Sequence, residues 1–184
     1  MSEGFLVGAK IRLRGVRRPD MEAYRRWLAD PEVTAFLEMG WKPLVDSDLD
    51  SVFGSLTASP DTVAFAIEDA TTGEAVGIAG LYLIQWLARR AQFNILIGEP
   101  RAWNRGFGTE ALNLLLAYGF ETLNLESIQL GVNADNLRAV RSYEKAGFVH
   151  EGRRRKFVYR NGRYFDSLMM SMLREEYAAL KRGA

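Results

Sequence analysis

The chain has 184 residues, 48% of them hydrophobic, and a formal net charge of +1. This length and composition predict a single domain over residues 1–184, and the nearly balanced charge predicts neither a nucleic-acid partner nor a membrane-surface partner. The lack of cysteine excludes thiol nucleophiles, and a single histidine, His150, argues against a histidine-built metal site, so no metal is expected. The sequence has neither a secretion signal nor an apolar run of about 20 residues, so we expect a cytoplasmic protein.

The first part of the chain predicts one strand followed by two or three helices. Residues 10–14 alternate apolar and charged side chains, which is typical of a half-buried strand. Pro19 suits the first turn of a helix. A second, short helix is expected over 33–37, and a third is expected to begin near Asp46 or Ser47.

The middle of the chain changes to the pattern of strands. Residues 63–69, 75–86 and 91–98 are apolar segments, and a turn containing Gly73 joins the first two. They predict three successive antiparallel strands. A helix and then a strand over 127–132 follow, and this order predicts a right-handed parallel crossover.

The last part of the chain predicts a helix and a hairpin. Asp135 is expected to cap the helix, which should end at Gly147 because glycine readily adopts the left-handed conformation after a helix. Residues 157–173 form the predicted hairpin, and its Asn161-Gly162 dipeptide is a strong turn signal. Together these elements predict an α+β fold in which strands and helices are mixed along the chain.

A glycine-bearing loop separates the strand over 91–98 from the helix after it. Gly106 and Gly108 permit a sharp turn and the close approach of a ligand, and the N-terminus of the next helix favours phosphate. The stretch from Gly106 to Ala111 also fits a dinucleotide fingerprint, but it follows four strands instead of one, and no acidic residue ends the next strand. A tight turn that serves packing alone is the alternative interpretation.

Asparagine and tyrosine side chains form a second candidate site. Asn133 and Asn136 follow the strand over 127–132, and Tyr143 lies seven residues after Asn136, so both can face the same side of a helix. Taken alone, a tyrosine at such a position is expected more often in a hydrophobic core than in catalysis.

Several stretches together carry a resemblance to a known family. They are AWNRGFGTEAL (102–112), VNADNLRAVRSYEKAGFVHEG (132–152), NGRYFDSLMMSML (161–173) and the opening RRPDMEAYRRWLADPEV (17–33). The sequence resembles the GNAT superfamily of acyl-CoA-dependent N-acyltransferases, and within it the RimJ/RimL-like branch. The resemblance implies a mostly antiparallel twisted sheet with a splayed parallel pair and helices on both faces. It also implies direct transfer of an acetyl group from acetyl-CoA to a primary amine in a ternary complex.

The resemblance further implies a site for acetyl-CoA where the two strands splay apart. Main-chain groups of Leu96 and Ile97 would bind the pantetheine arm, and the glycine loop would hold the pyrophosphate through its N–H groups. Asn136 would also bind the arm, and Tyr143 would act as general acid toward the departing sulfur. The residues implied for acetyl-CoA are Leu96, Ile97, Trp103, Asn104, Arg105, Gly106, Phe107, Gly108, Thr109 and Asn136.

The general base and the acceptor are left open. Gln92 stands where related enzymes often carry a glutamate, and glutamine cannot accept the proton, so water, Glu38, Glu99 and Asp166 are the candidates. The expected acceptor site mixes carboxylates with aromatic rings, which suits the amine of a polyamine, an aminoglycoside-like or amino-acid-like molecule, or a protein N-terminus. Its residues are Glu32, Phe36, Glu38, Trp41, Tyr82, Tyr164 and Asp166.

Two other functions compete with an acetyltransferase. A non-catalytic acyl-CoA-binding or interaction module is favoured by Gln92 and disfavoured by Asn136 and Tyr143. The basic run 153–156 suggests a nucleic-acid patch, but a solvated strand edge or a contact to the cofactor's 3′-phosphate is favoured because no aromatic platform accompanies it. Exposed edge strands in the last hairpin are compatible with a homodimer.

Overall fold

An eight-stranded sheet forms the centre of the computed structural model, which describes residues 4–183. The strands are β1 (Leu6–Val7), β2 (Ile11–Gly15), β3 (Val63–Asp69), β4 (Ala75–Gln85), β5 (Arg90–Ile97), β6 (Ser127–Asn133), β7 (Val149–Arg160) and β8 (Arg163–Leu173). Their order across the sheet is β1-β2-β3-β4-β5-β6-β8-β7. Within the described residues only β5 and β6 pair in parallel, and every other neighbouring pair is antiparallel.

Helices cover both faces of this sheet. They are α1 (Asp20–Ala29), α2 (Asp46–Thr57), α3 (Phe107–Ala117), α4 (Leu137–Ala146) and α5 (Arg174–Gly183). A short 3-10 helix spans Pro100–Ala102, and a π-helical turn over Tyr118–Thr122 continues α3. The predicted mixed fold, with its splayed parallel pair, is confirmed.

Two hydrophobic clusters divide the core between the two faces. Alternate side chains of the central strands, such as Phe93 and Leu130, pack against α3 and α4 in the larger cluster. On the other face, α1 and α2 pack against the sheet around Trp27, Leu49 and Ile78. The strand period of two therefore explains why neighbouring residues of one strand belong to different clusters.

The structure corrects two local predictions and adds two elements. The helix expected over 33–37 is a series of turns, because the Arg160 guanidinium binds the Thr34 hydroxyl and the Leu37 carbonyl from outside the segment. Asn136, instead of Asp135, caps α4, and its side-chain oxygen accepts from the Ala139 N–H at 3.2 Å. The sequence patterns missed β1, which has two residues, and α5, which has no buried residue to produce an apolar stripe.

The gap between β5 and β6 is the feature of the sheet that positions the site. These strands pair at only three positions, and the last pair is Gln92 with Gln129. Beyond it β5 continues along β4 as far as Ile97, whereas β6 continues along β8 as far as Asn133. The two strands therefore diverge and leave an unpaired edge on each side of the gap.

A buried charge network joins β2, β3 and α1. The Arg14 guanidinium donates two 2.9 Å hydrogen bonds to the Asp20 carboxylate and one to Glu68. The side chains of all three residues are less than 10% exposed. Arg14 thereby ties the first turn of α1 to the sheet that α1 covers.

Replacing Arg14 should therefore be costly, because it removes three charge-assisted hydrogen bonds from the buried carboxylates of Asp20 and Glu68. We expect Arg14→Ala to lower the free energy of unfolding by about 3–5 kcal/mol in urea denaturation. Arg18→Ala is the matched control, since Arg18 pairs with Asp50 on the surface, and we expect a loss of at most about 1 kcal/mol. Equal losses in the two variants would show that the buried network does not stabilise the fold.

Candidate active site

A cavity of about 800 Å³ opens where β5 and β6 diverge. It is lined by the end of β5, the loop before α3 with the first turn of α3, the N-terminal part of α4, and the segment 32–37 after α1. Its volume is in the range of small-molecule sites. The predicted acetyl-CoA residues that line it are Leu96, Ile97, Trp103, Asn104, Gly106, Phe107, Gly108, Thr109 and Asn136, and Tyr143 lines it with them.

The loop before α3 presents main-chain donors to the cavity. Gly106 has a φ of +86°, a conformation that favours glycine, and it immediately precedes α3. The first helical bond runs from the Glu110 N–H to the Gly106 carbonyl, so the N–H groups of Phe107, Gly108 and Thr109 have no acceptor within the helix. Together with the positive end of the helix dipole, these donors suit a phosphate.

Arg105 is held outside this cavity. Its guanidinium donates to the buried Asp69 carboxylate at 3.0 Å and lies over the Phe107 ring at 4.5 Å. Its carbonyl accepts from the Lys10 ammonium at 3.0 Å. Arg105 therefore links the loop to the sheet, and its side chain does not line the cavity. The sequence had led us to expect Arg105 among the acetyl-CoA residues.

Arg138 is a cavity residue that the sequence reasoning missed. It lies in the first turn of α4, and its guanidinium is 5.0 Å from the centre of the Trp103 ring, which also lines the cavity. Among residues 4–183, none forms an ion pair with Arg138. A cation in the first turn of a helix opposes the helix dipole, and this unfavourable position is the signal that could have identified it.

The edge of β5 offers main-chain groups to the gap at alternate residues. The Gly98 N–H donates to the Val76 carbonyl of β4, so by strand alternation Leu96 also directs its main-chain groups toward β4. Ile95 and Ile97 direct theirs toward the gap, where the Ile97 carbonyl already accepts from the Trp103 indole at 2.8 Å. The alternation therefore points to Ile95 instead of Leu96 as the partner of Ile97.

Tyr143 lines the cavity with a phenol side chain. Its ring packs edge-on against Phe93, with 6.2 Å between the ring centres, and against Phe148 at 5.9 Å. Burial raises the pKa of Tyr143 to about 12, so the phenol stays protonated at neutral pH. Within residues 4–183 its hydroxyl has no hydrogen-bond partner, which leaves it free to donate to a ligand.

Gln92 lies where the strands separate. It is paired across the sheet with Tyr82 of β4 and with Gln129 of β6. Burial raises the pKa of Tyr82 well above its ordinary value. Neither cross-strand neighbour of Gln92 is thus a carboxylate that could accept a proton.

Three carboxylates were candidates for the base, and none of them lines the cavity. Glu99 accepts from the Trp27 indole at 2.9 Å and from Arg26 at 3.1 Å. Asp166 accepts from the Lys156 N–H at 2.8 Å and from Arg153 at 3.2 Å. Glu38 lies on the exposed side of the segment that follows α1.

The predicted acceptor residues are only partly brought together. Glu32 and Phe36 line the cavity, and Glu32 makes no ion pair with any residue that the structure describes. Asp135 also lines it but lies 3.6 Å from Arg163. The predicted acceptor residues that do not line the cavity are Glu38, Trp41, Tyr82, Tyr164 and Asp166.

The described part of the chain lacks both a cluster of metal ligands and a helix of membrane-spanning length. Residues 4–183 contain no group of three or more histidine, aspartate or glutamate side chains arranged to hold a metal ion. No helix among them is long and apolar enough to cross a membrane.

Comparisons with known proteins agree with this geometry. A family model described as an acetyltransferase (GNAT) domain matches residues 10–149. The "Uncharacterized N-acetyltransferase p20" of Bacillus licheniformis is 29% identical over 177 residues, which cover 94% of this chain and 98% of that protein. The spermidine N(1)-acetyltransferase of Vibrio cholerae is 38% identical over 113 residues, 61% of this chain and 64% of that protein.

A solved structure extends the likeness to the whole fold. The spermidine N-acetyltransferase of Vibrio cholerae, crystallised in complex with CoA and spermine, superposes with a TM-score of 0.83 at 28% sequence identity. The match covers 93% of this chain and 99% of that one. The gap in the sheet, the donors at α3 and the cation of Arg138 fit the pantetheine and phosphate groups of acetyl-CoA. The chain therefore belongs to the GNAT acetyltransferase family, as an acetyl-CoA-dependent N-acetyltransferase and not a mere binding module.

Proposed function

We propose that the acceptor is a small amine with several positive charges, of the polyamine class. The observation that carries this proposal is Glu32, a carboxylate that lines the cavity without an ion-pair partner among the described residues. Such a carboxylate favours a second ammonium on the acceptor, at a distance from the amine that reacts. The similarity to proteins named as spermidine acetyltransferases supports the same class.

Several finer expectations remain proposals. We infer that residues 1–184 act as one domain, because the two hydrophobic clusters share one sheet. The RimJ/RimL-like affiliation stays a prediction, since the relatives with named substrates are spermidine acetyltransferases. The cytoplasmic location and the homodimer also stay predictions, although one relative of this fold is described as dodecameric.

In this proposal different groups of the cavity bind the phosphates and the pantetheine arm of acetyl-CoA. Acetyl-CoA supplies a thioester, whose carbonyl carbon is attacked by the amine. The N–H groups of Phe107, Gly108 and Thr109 and the guanidinium of Arg138 would hold phosphate, and the edges of Ile95 and Ile97 would bind the pantetheine amides. The Asn136 oxygen already accepts one hydrogen bond as the cap of α4, so its NH₂ group would be the main contact to the arm.

Tyr143 would stabilise the departing sulfur. A thiol has a pKa of about 8.5, so complete proton transfer from a phenol with a pKa of about 12 is unfavourable by roughly 5 kcal/mol. Tyr143 therefore acts by donating a hydrogen bond while charge builds on sulfur. The proton that the thiol finally carries balances the one that the nitrogen loses after its attack, whereas the proton that the acceptor ammonium loses before the attack goes to solvent.

The acceptor amine would lose its proton to water. Gln92 has no basic oxygen, and the three candidate carboxylates do not line the cavity. The divergence of β5 and β6 beyond Gln92 leaves an edge where solvent can approach the reacting amine. Of the carboxylates that line the cavity, Glu32 is assigned here to the second ammonium and Asp135 is paired with Arg163, so the acceptor reacts from its neutral fraction.

The function is tested by thiol release from acetyl-CoA with spermidine, spermine, a simple monoamine, amino acids and short peptides. We expect turnover with the polyamines, and we expect Glu32→Gln to raise the KM for spermidine about tenfold while the KM for the monoamine and for acetyl-CoA stays unchanged. Glu175→Gln, an exposed change on α5, is the control. Turnover of peptides alone, or an unchanged KM for spermidine in Glu32→Gln, contradicts the polyamine proposal.

Tyr143→Phe tests the proposed role at sulfur. The substitution keeps the ring contacts with Phe93 and Phe148 but removes the hydroxyl, so we expect kcat to fall about 100-fold while the Kd for acetyl-CoA changes less than about twofold. Steady-state kinetics and calorimetric binding measure the two quantities. A kcat equal to that of the wild type removes Tyr143 from the mechanism.

Arg138→Gln tests the proposed phosphate contact. We expect the Kd for CoA to rise about tenfold and to become less sensitive to salt, because one charge-assisted contact is lost. Arg141→Gln is the matched control, since Arg141 lies on the same helix but does not line the cavity. If both variants weaken CoA binding equally, Arg138 contributes only to the general charge of α4.

A further inference from the structure

The segment that lines the acceptor side of the cavity has no regular structure of its own. Between the end of α1 at Ala29 and the start of α2 at Asp46 there is no helix or strand, and no other stretch of residues 4–183 is as long without one. Glu32 and Phe36 on this segment nevertheless line the cavity. Their placement must therefore depend on contacts with other parts of the chain.

Arg160 makes these contacts from the last residue of β7. One guanidinium nitrogen donates to the carbonyls of Met39 at 2.8 Å and Leu37 at 3.4 Å. The other donates to the Thr34 hydroxyl at 2.7 Å and to the Gly40 carbonyl at 3.2 Å. One side chain thus satisfies three main-chain carbonyls and a hydroxyl on residues more than a hundred positions away.

The geometry requires the fork of a guanidinium. Gly40 has a φ of +80° and folds back so closely that a Cβ there would meet the Thr34 methyl group. The turn therefore directs the Thr34 hydroxyl and the carbonyls around Gly40 toward one point. A planar group with several fixed N–H donors matches this arrangement, whereas a lysine ammonium would satisfy only part of it.

Within the stretch itself the Tyr24 hydroxyl contacts the Met39 sulfur at 3.4 Å, and further polar contacts hold the two ends of the segment. The Thr34 N–H and hydroxyl both bond to the Asp30 carbonyl at the start. Arg25 donates to the Leu44 carbonyl at the end. Among the described residues, Arg160 makes no ion pair, so nothing else competes for its charge.

We propose that Arg160 is a positioning residue for the acceptor: it fixes the segment 34–40 so that Glu32 and Phe36 face the cavity. This inference rests on the proposed function, because it assigns the segment to acceptor binding. It also makes the tip of the β7–β8 hairpin part of the acceptor side, although Tyr164 and Asp166 on β8 do not line the cavity. Arg160 acts through the segment and does not touch the reacting atoms.

The test compares Arg160→Gln and Arg160→Lys with the wild type in thiol-release kinetics. We expect Arg160→Gln to raise the KM for spermidine about tenfold, equivalent to 1.4 kcal/mol, with kcat and the KM for acetyl-CoA within about twofold. Arg160→Lys should recover part of this loss, because it keeps the charge but not the fork. Hydrogen exchange should speed up over residues 34–40 in Arg160→Gln and stay unchanged around Tyr143.

Arg163→Gln is the matched control. Arg163 faces Arg160 across the hairpin and has no contact to the segment, and because its loss leaves the Asp135 carboxylate of the cavity unpaired, we expect the KM for spermidine to stay unchanged or to fall. An unchanged KM for spermidine in Arg160→Gln, or an equal change in Arg163→Gln, overturns the inference. A wild-type protein that releases no thiol with any amine contradicts the proposed function itself, and this result is read before any variant is compared.

Discussion

The divergence of β5 and β6 after Gln92 and Gln129 is the constraint on which the site depends. Each strand keeps its antiparallel neighbour, so the sheet remains continuous while two edges become unpaired inside the molecule. Unpaired main-chain groups in a protein interior are unfavourable unless a ligand or water satisfies them. A pantetheine arm, which carries two amides, is a ligand that can satisfy such an edge.

The charges around this gap follow a consistent pattern. Arg105, which directly precedes Gly106, is paired with buried Asp69, and this pair holds the loop against the sheet. The positive charge in the cavity comes instead from Arg138 and from the N-terminus of α3. On the proposed acceptor side Glu32 is a carboxylate without an ion-pair partner among residues 4–183. In the proposed function the two substrates therefore meet surfaces of opposite sign, which would orient each of them before the reaction.

The sequence predicted those features that depend on short-range patterns. Gly106 was identified because a glycine turn before a helix is a local signal, whereas Tyr143 was assigned a role through the resemblance to the family, since its spacing alone favours a core residue. The sequence could not show that Ile95, instead of Leu96, directs its main-chain groups toward the gap, because this depends on which residues of β5 bond to β4. Arg105 was expected to bind acetyl-CoA and Arg138 was not singled out, because only their tertiary partners distinguish the two cations. The segment around Thr34 was predicted as a helix because its apolar spacing is helical, whereas Arg160, more than a hundred residues away, binds it in another conformation.

The account depends most directly on the gap being the donor site, and hydrogen exchange with and without CoA measures this. Saturating CoA should slow exchange at the amides of Ile95 and Ile97 and across the first turn of α3, where the unpaired donors lie. Amides within the β7–β8 pair near the hairpin turn, which do not line the cavity, should exchange at the same rate in both states. Protection that is absent from the β5 edge, or that is confined to another surface, would contradict the assignment of the gap to acetyl-CoA.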